Sequence, residues 1–301
     1  MAVQEQIEPT IETVTPGDVI TGYEYDLIPG VYANYVDASA ISPGWLRLPD
    51  GRQAVPHSVL FEDSNRTFST RYLSGRKLNA GVRHVFYGPI VPPIHVVGSV
   101  EILKTYIRRG REHVEFMARV HDGDGRLLLA SHNNWVMNTL VTHDADQAGT
   151  DVPAPVLPPR QYTLPVSERA LAMQPGEELA PFERTSVLNE PNGGFGDNSV
   201  HGDEYARRVL GLRGGVTLGS TNLGYINELL GRQFGPSWLE RGSLDVRFIG
   251  GVVRNDQVAA RARVTGRVQD DEGERLDIEV WLTNETLDSR TAIVGSASYR
   301  L

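Results

Sequence analysis

The chain contains no cysteine among its 301 residues. A disulfide framework, a thiolate metal site and a cysteine nucleophile are therefore excluded. Lysine is nearly missing as well: Lys77 and Lys104 are the only two among 29 basic residues. Neither stands in a G-x-x-x-x-G-K-[ST] loop, so a P-loop phosphate site is excluded. No apolar run approaches the roughly 18–20 residues that a membrane-spanning helix needs. Acidic residues outnumber basic ones, 38 to 29, for a formal net charge of −9. That balance gives no electrostatic footprint for nucleic acid or an anionic membrane. The N-terminus, MAVQEQIEPTIETVTPGD, lacks the basic-then-apolar order of a signal peptide. The expectation is a cytoplasmic protein with no nucleic-acid or membrane partner.

What is present is a globular composition, 40% hydrophobic and 22% charged, in a chain long enough for one large domain or two ordinary ones. A proline-rich stretch, THDADQAGTDVPAPVLPPRQYTLPVSERALAMQPG, divides it. Proline at that density cannot pair inside a sheet or continue a helix, and it suits an extended crossover between packed halves. The expected organisation is an extended or disordered N-terminus over 1–16, a first half over 17–141, a crossover over 142–176 and a second half over 177–301.

The halves share an order of elements. Strand patterns cover Ile94–Arg108, Arg111–His121 and Arg126–Leu140 in the first half. In the second they cover Ser243–Val253, Gln257–Val268, Arg275–Thr286 and Thr291–Leu301. Turns such as DGDG and RND separate them, which are hairpin signals. Before each block lies a helical pattern. Ser220–Gly231 places Leu223, Ile226, Leu229 and Leu230 at helical spacing. Ser58–Leu73 does so with Leu60, Phe61, Phe68 and Tyr72. Each half therefore reads as a long central helix followed by an antiparallel meander, an α+β architecture built by internal duplication.

Chemistry concentrates in GFGDNSVHGDEYARRVLGLRGGVTLG, residues 194–219. Asn198 precedes His201 by three residues, and Asp203 and Glu204 open a short helical pattern. A glycine-rich turn with Gly211, Gly214 and Gly215 then leads to Gly219 at the start of the central helix. Glycines let backbone approach a ligand closely. A helix N-terminus offers unpaired N–H groups and the positive end of the dipole. Such a donor can stabilise a thioester oxygen as it becomes an enolate, and a nearby histidine can activate water. Asp197 and Asn198 also suit N-cap positions, and Asp203 and Glu204 suit the first turn of a helix. The other histidines are scattered, without H-E-x-x-H spacing. No G-x-S-x-G elbow exists, and the glycines of NGGFGDN do not open a βαβ unit.

This stretch resembles the MaoC-like, (R)-specific enoyl-thioester hydratases in their fused double-hotdog form. Their pattern is D-x-N-P-x-H with a central-helix glycine eighteen residues after the histidine. Asn198, His201 and Gly219 match it. RFIGGVVRND (Arg247–Asp256), VWLTNETLDSRTAIVGSASYRL and, in the first half, FYGPIVPPIHVVGSVEI (Phe86–Ile102) resemble further family segments. The resemblance covers about residues 17–140 and 177–301. It departs at two positions: the family aspartate stands at Gly196, with Asp197 one place late, and the proline is Ser199.

The resemblance implies a double hotdog, with the first repeat opening a groove for an acyl chain and the second carrying the site. It implies an enoyl-thioester hydratase, or a 3-hydroxyacyl dehydratase in reverse, on CoA or acyl-carrier-protein substrates. No cofactor or metal is implied, and a homodimer is compatible. His201 would be the acid/base, and the N–H at Gly219 the oxyanion donor. Asp197 would be the carboxylate, with Glu190 and Asp203 open to the same role. Asn198, Gly196, Gly215 and Ser220 are assigned to substrate contact. Amine addition, thioester hydrolysis and non-catalytic thioester binding remain open alternatives, because the aspartate position holds glycine.

Overall fold

A computed structural model describes residues 6–30, 32, 43–73, 76–188, 199–209 and 211–301. In the first half, β1 (Val19–Leu27) is followed by a 3-10 turn at His57–Leu60 and a short helix α1 (Asp63–Phe68). Then come β2 (Leu78–Phe86), β3 (Ile94–Arg108), β4 (Arg111–Asp122) and β5 (Leu127–Val136). After α2 (Glu168–Ala172), the second half has β6 (Phe182–Thr185), α3 (Asp203–Arg208), α4 (Gly219–Phe234) and α5 (Trp238–Arg241). It ends with β7 (Gly242–Phe248), β8 (Gln257–Asp270), β9 (Gly273–Asn284) and β10 (Arg290–Arg300).

All ten strands form one sheet in the order β1-β3-β4-β5-β2-β7-β10-β9-β8-β6. The seam between the halves is the antiparallel pair β2–β7, running from Gly81↔Arg247 to Val85↔Ser243. Each half curls round its own helical segment, which gives the expected double hotdog. In β7, buried Leu244 and Val246 alternate with Ser243 and Asp245, the period-2 pattern of a strand with one face on the core.

Helix α4 is buried on nearly every side. Its Tyr225, Ile226, Leu229, Leu230 and Phe234 share one core with Leu244, Val246, Ile278, Val280 and Leu282 of the sheet. Burying each such side chain contributes about 1.5–3 kcal/mol. Two of its polar side chains accept from indoles: Trp238 Nε1 donates to Asn227 at 2.8 Å, and Trp45 Nε1 donates to Glu228 at 2.9 Å. A separate core in the first half packs Phe68 and Tyr72 against Phe116 and Trp135.

The long helix expected over Ser58–Leu73 does not form. The segment breaks into the 3-10 turn and the six-residue α1. Ser, Asp, Asn and Thr side chains compete for backbone hydrogen bonds and weaken a helix interior. Here Thr67 Oγ1 donates to the Asp63 carbonyl at 2.7 Å, and Ser64 Oγ donates to that of Phe61 at 3.4 Å. The strand expected over Ser243–Val253 stops at Phe248, because Gly250 and Gly251 begin a turn.

Candidate active site

His201 lies in the turn between residues 199 and 203, just before α3, and its loop is fastened from several sides. The Val216 N–H donates to the Val200 carbonyl at 3.1 Å, and the Thr217 N–H donates to the Val252 carbonyl at 2.8 Å. The imidazole Nδ1 lies 2.6 Å from the Val216 carbonyl oxygen. A carbonyl only accepts, so Nδ1 carries the proton and, in the neutral ring, Nε2 is the acceptor nitrogen. Burial pulls the proton affinity of His201 below the ordinary imidazole value, opposed by the Val216 hydrogen bond and the charge of Glu62. A histidine neutral at neutral pH with a defined tautomer is a competent general base.

Gly215 is packed rather than open. A Cβ there would lie 2.0 Å from the His201 carbonyl oxygen, and the Gly215 N–H donates to Asp203 Oδ1 at 2.7 Å. Asp203, open to the carboxylate role from sequence, thus spends one oxygen holding the glycine-rich turn. Buried Asp256 anchors the same turn, accepting from Arg213 at 2.7 Å, the Val253 N–H at 3.0 Å and Asn284 at 2.6 Å.

That turn delivers the chain to the N-terminus of α4. Leu218 occupies the N-cap and supplies no side-chain cap, so the first N–H groups keep the donor capacity of a helix start. Gly219 is needed for a close approach. A Cβ would lie 2.6 Å from Asn79 Nδ2 and 3.2 Å from the Phe248 ring. Ser220, buried in the first turn, lines the same small cavity as Glu62. Gly196, Asp197 and Asn198, like Glu190, lie outside the described residues.

The wall beside the start of α4 comes largely from the first half and was not singled out from the sequence. Glu62 precedes α1, Lys77 precedes β2, and Asn79 lies in β2. With Trp135, Ser220 and Phe248 they line a narrow cavity of about 20 Å³, room for little more than one water. Asn65 Nδ2 donates to Glu62 at 3.1 Å. Lys77 Nζ stands 3.4 Å from the centre of the Trp135 ring, a cation–π contact. Burial lowers the Lys77 ammonium to about 8, against the pull of Glu62. Burial would raise Glu62, but Lys77 and hydrogen bonding from Asn65 outweigh it and hold the carboxyl below its ordinary value. The only sequence signals were an acidic pair inside an apolar segment, LFEDSN, and one of two lysines.

His57 and His84 are buried structural residues. His57 stacks on Phe86 at 4.5 Å and His84 on Phe61 at 4.1 Å, and burial takes both to about 3. A larger groove of about 1060 Å³ includes neither His201 nor Gly219. It takes in Ser243 and Asp245, on the sheet face opposite α4. Most of its arginines are matched by acids, as in Arg263–Glu279 and Arg300–Asp270. Among the described residues, no cluster of three or more His, Asp or Glu suits a metal ion. No helix among them is long and apolar enough to cross a membrane.

No protein-family model and no curated protein matches the sequence. The fold does match solved structures over nearly the full length of both chains. One described as a MaoC-like dehydratase is 15% identical, covers 97% of this chain and 99% of its own, and gives a TM-score of 0.75. A MaoC-like dehydratase from Phytophthora capsici is 13% identical, with 97% and 98% coverage and a TM-score of 0.64. A conserved Mycobacterium tuberculosis protein described as having a double hotdog fold is 13% identical, with 97% coverage of each chain and a TM-score of 0.62. At these identities the likeness establishes the double-hotdog fold of MaoC-like dehydratases.

Proposed function

We propose that the protein is an enoyl-thioester hydratase, running in reverse as a 3-hydroxyacyl-thioester dehydratase, on acyl chains carried by CoA or acyl carrier protein. The observation that carries this is the pairing of a tautomer-fixed His201, Nδ1 on the Val216 carbonyl at 2.6 Å, with the side-chain-uncapped start of α4 at Gly219. Hydration of a bond conjugated to a thioester needs a base for water and a donor for the oxygen on which charge develops. His201 Nε2 removes a proton from water as its oxygen bonds to C3. The C2=C3 electron pair moves toward the thioester, giving an enolate whose oxygen meets the helix-start N–H. The imidazolium returns the proton to C2, and the carbonyl reforms.

A second reading keeps the site and changes the nucleophile. With Gly196 where the family has aspartate, an amine, which needs less activation than water, would add to the same carbon. The test is incubation with trans-2-enoyl-CoA substrates of increasing length, with and without amines, and mass analysis of products. The hydratase reading expects a gain of one water, reduced about 100-fold or more in His201→Ala. Amine adducts would favour the second reading. A wild type that converts no enoyl thioester would remove both.

A further inference from the structure

We propose that Asn79, supplied by the first half of the chain, gives the thioester oxygen its second hydrogen-bond donor, alongside the N–H at the start of α4. The inference rests on the hydratase reading and deepens it. A carbonyl oxygen has two lone pairs, and a helix-start N–H occupies one of them. The packing against Gly219 fixes where a second donor stands. A Cβ at Gly219 would lie 2.6 Å from Asn79 Nδ2, and the nitrogen of a residue lies about 2.5 Å from its own Cβ. The two nitrogens are therefore within about 5 Å of each other, close enough for both to reach one oxygen at hydrogen-bond distance. Among the described residues, no hydrogen bond occupies the Asn79 carboxamide.

Strand β2 is built to aim this side chain. In its regular part Val82, His84 and Phe86 are buried, while Arg83 and Val85 line the groove on the opposite sheet face. Strict alternation would send Asn79 to that outer face with them. The register against β5 instead slips between Asn79 and Gly81: Asn79 pairs with Trp135, and Gly81 with Asn134. Two steps of β2 thus stand against one step of β5, a β-bulge at Ala80 that re-aims the residue before it. Asn79 turns to the α4 face, where it lines the small cavity with Val82, His84, Trp135 and Phe248. Bulges are over-represented next to active sites, where they redirect a side chain. The carboxamide transfers no proton. It donates to the thioester oxygen as the C2=C3 electrons move toward it and keeps its hydrogen throughout, so the balance stays at one water added to one double bond.

The test has two arms. The first uses butyryl-CoA with an isotope-labelled carbonyl, a saturated thioester that has no double bond to hydrate and so stays intact in the site. Infrared difference spectroscopy follows its carbonyl stretch. The frequency should fall on binding to the wild type, because both donors pull on the oxygen. It should fall less in Asn79→Ala and in the isosteric Asn79→Asp, whose ionised side chain cannot donate. A merely structural Asn79 would leave that band alone. No lowering in the wild type, or an equal lowering in both variants, overturns the proposal whatever the turnover. In the second arm, kcat on an enoyl-CoA should fall about 100-fold or more in both variants, with KM changed little. Wild-type kcat in whichever variant keeps the wild-type melting temperature also overturns it. A carbonyl shift that depends on Asn79 in a wild type that hydrates nothing would sink the hydratase reading and keep Asn79 as the donor. Hydration by a wild type whose carbonyl shift ignores Asn79 would do the reverse.

Discussion

Replacing Gly231 by alanine tests how the first half is locked to the central helix of the second. Gly231 lies in the last turn of α4, and a Cβ there would stand 2.5–2.6 Å from three atoms of the Trp45 indole. Trp45 is 8% exposed and donates to Glu228 at 2.9 Å, so it cannot swing aside without losing that bond. Alanine in place of glycine would by itself favour the helix by about 1 kcal/mol. Against this stand about 1–3 kcal/mol for overpacking and about 1.5–3 kcal/mol for a hydrogen bond to a charged group. The net expectation is a loss of about 3 kcal/mol. For 301 residues that lowers Tm by roughly 5 °C. Thermal melting by circular dichroism measures it. Trp45→Leu should remove the clash, so that adding Gly231→Ala to it costs nothing further. A Gly231→Ala protein that melts at or above the wild type would refute the reasoning.

Two pH experiments follow. His201 must be neutral to act as a base, and burial holds it below the ordinary imidazole range. The acid limb of the pH–kcat profile should therefore fall below about pH 6.5, and a midpoint above that value counts against His201 as the base. Buried Asp63 accepts from the Tyr25 hydroxyl at 2.9 Å, and desolvation pushes its carboxyl up to about 7. Its folded-state value is raised, so its contribution to stability is complete below about pH 4 and is lost as pH rises through about 7. Melting of Asp63→Asn between about pH 5 and 8 should consequently vary less than that of the wild type, and parallel curves would refute the assignment.

The double hotdog was legible from sequence because its second half follows simple rules. Leu223, Ile226, Leu229 and Leu230 mark α4 by their spacing, although the helix extends to Phe234 because it is buried nearly all round. Strand β3 spans the expected Ile94–Arg108. The elements that escaped are those whose neighbours, not their own pattern, define them. Strand β2 (LNAGVRHVF) has a mixed face because strands flank it on both sides. Strand β6 has four residues, and β1 is a charged edge. The site divides in the same way. His201 and Gly219 belong to one local stretch, which a resemblance to a known family singles out. Glu62 and Lys77 reach the start of α4 from more than a hundred residues away, by a packing that no local pattern encodes.

The β2–β7 seam binds the fate of the two repeats together. Lys77 and Asn79 stand at the start of one seam strand and Phe248 at the end of the other, so the cleft wall is sewn along the join. Cutting the polypeptide at its proline-rich crossover would yield a fragment that keeps the imidazole and the helix start yet loses the opposite side of the chamber. Mutations accumulating in the repeat without the histidine are therefore filtered by the needs of the one that has it.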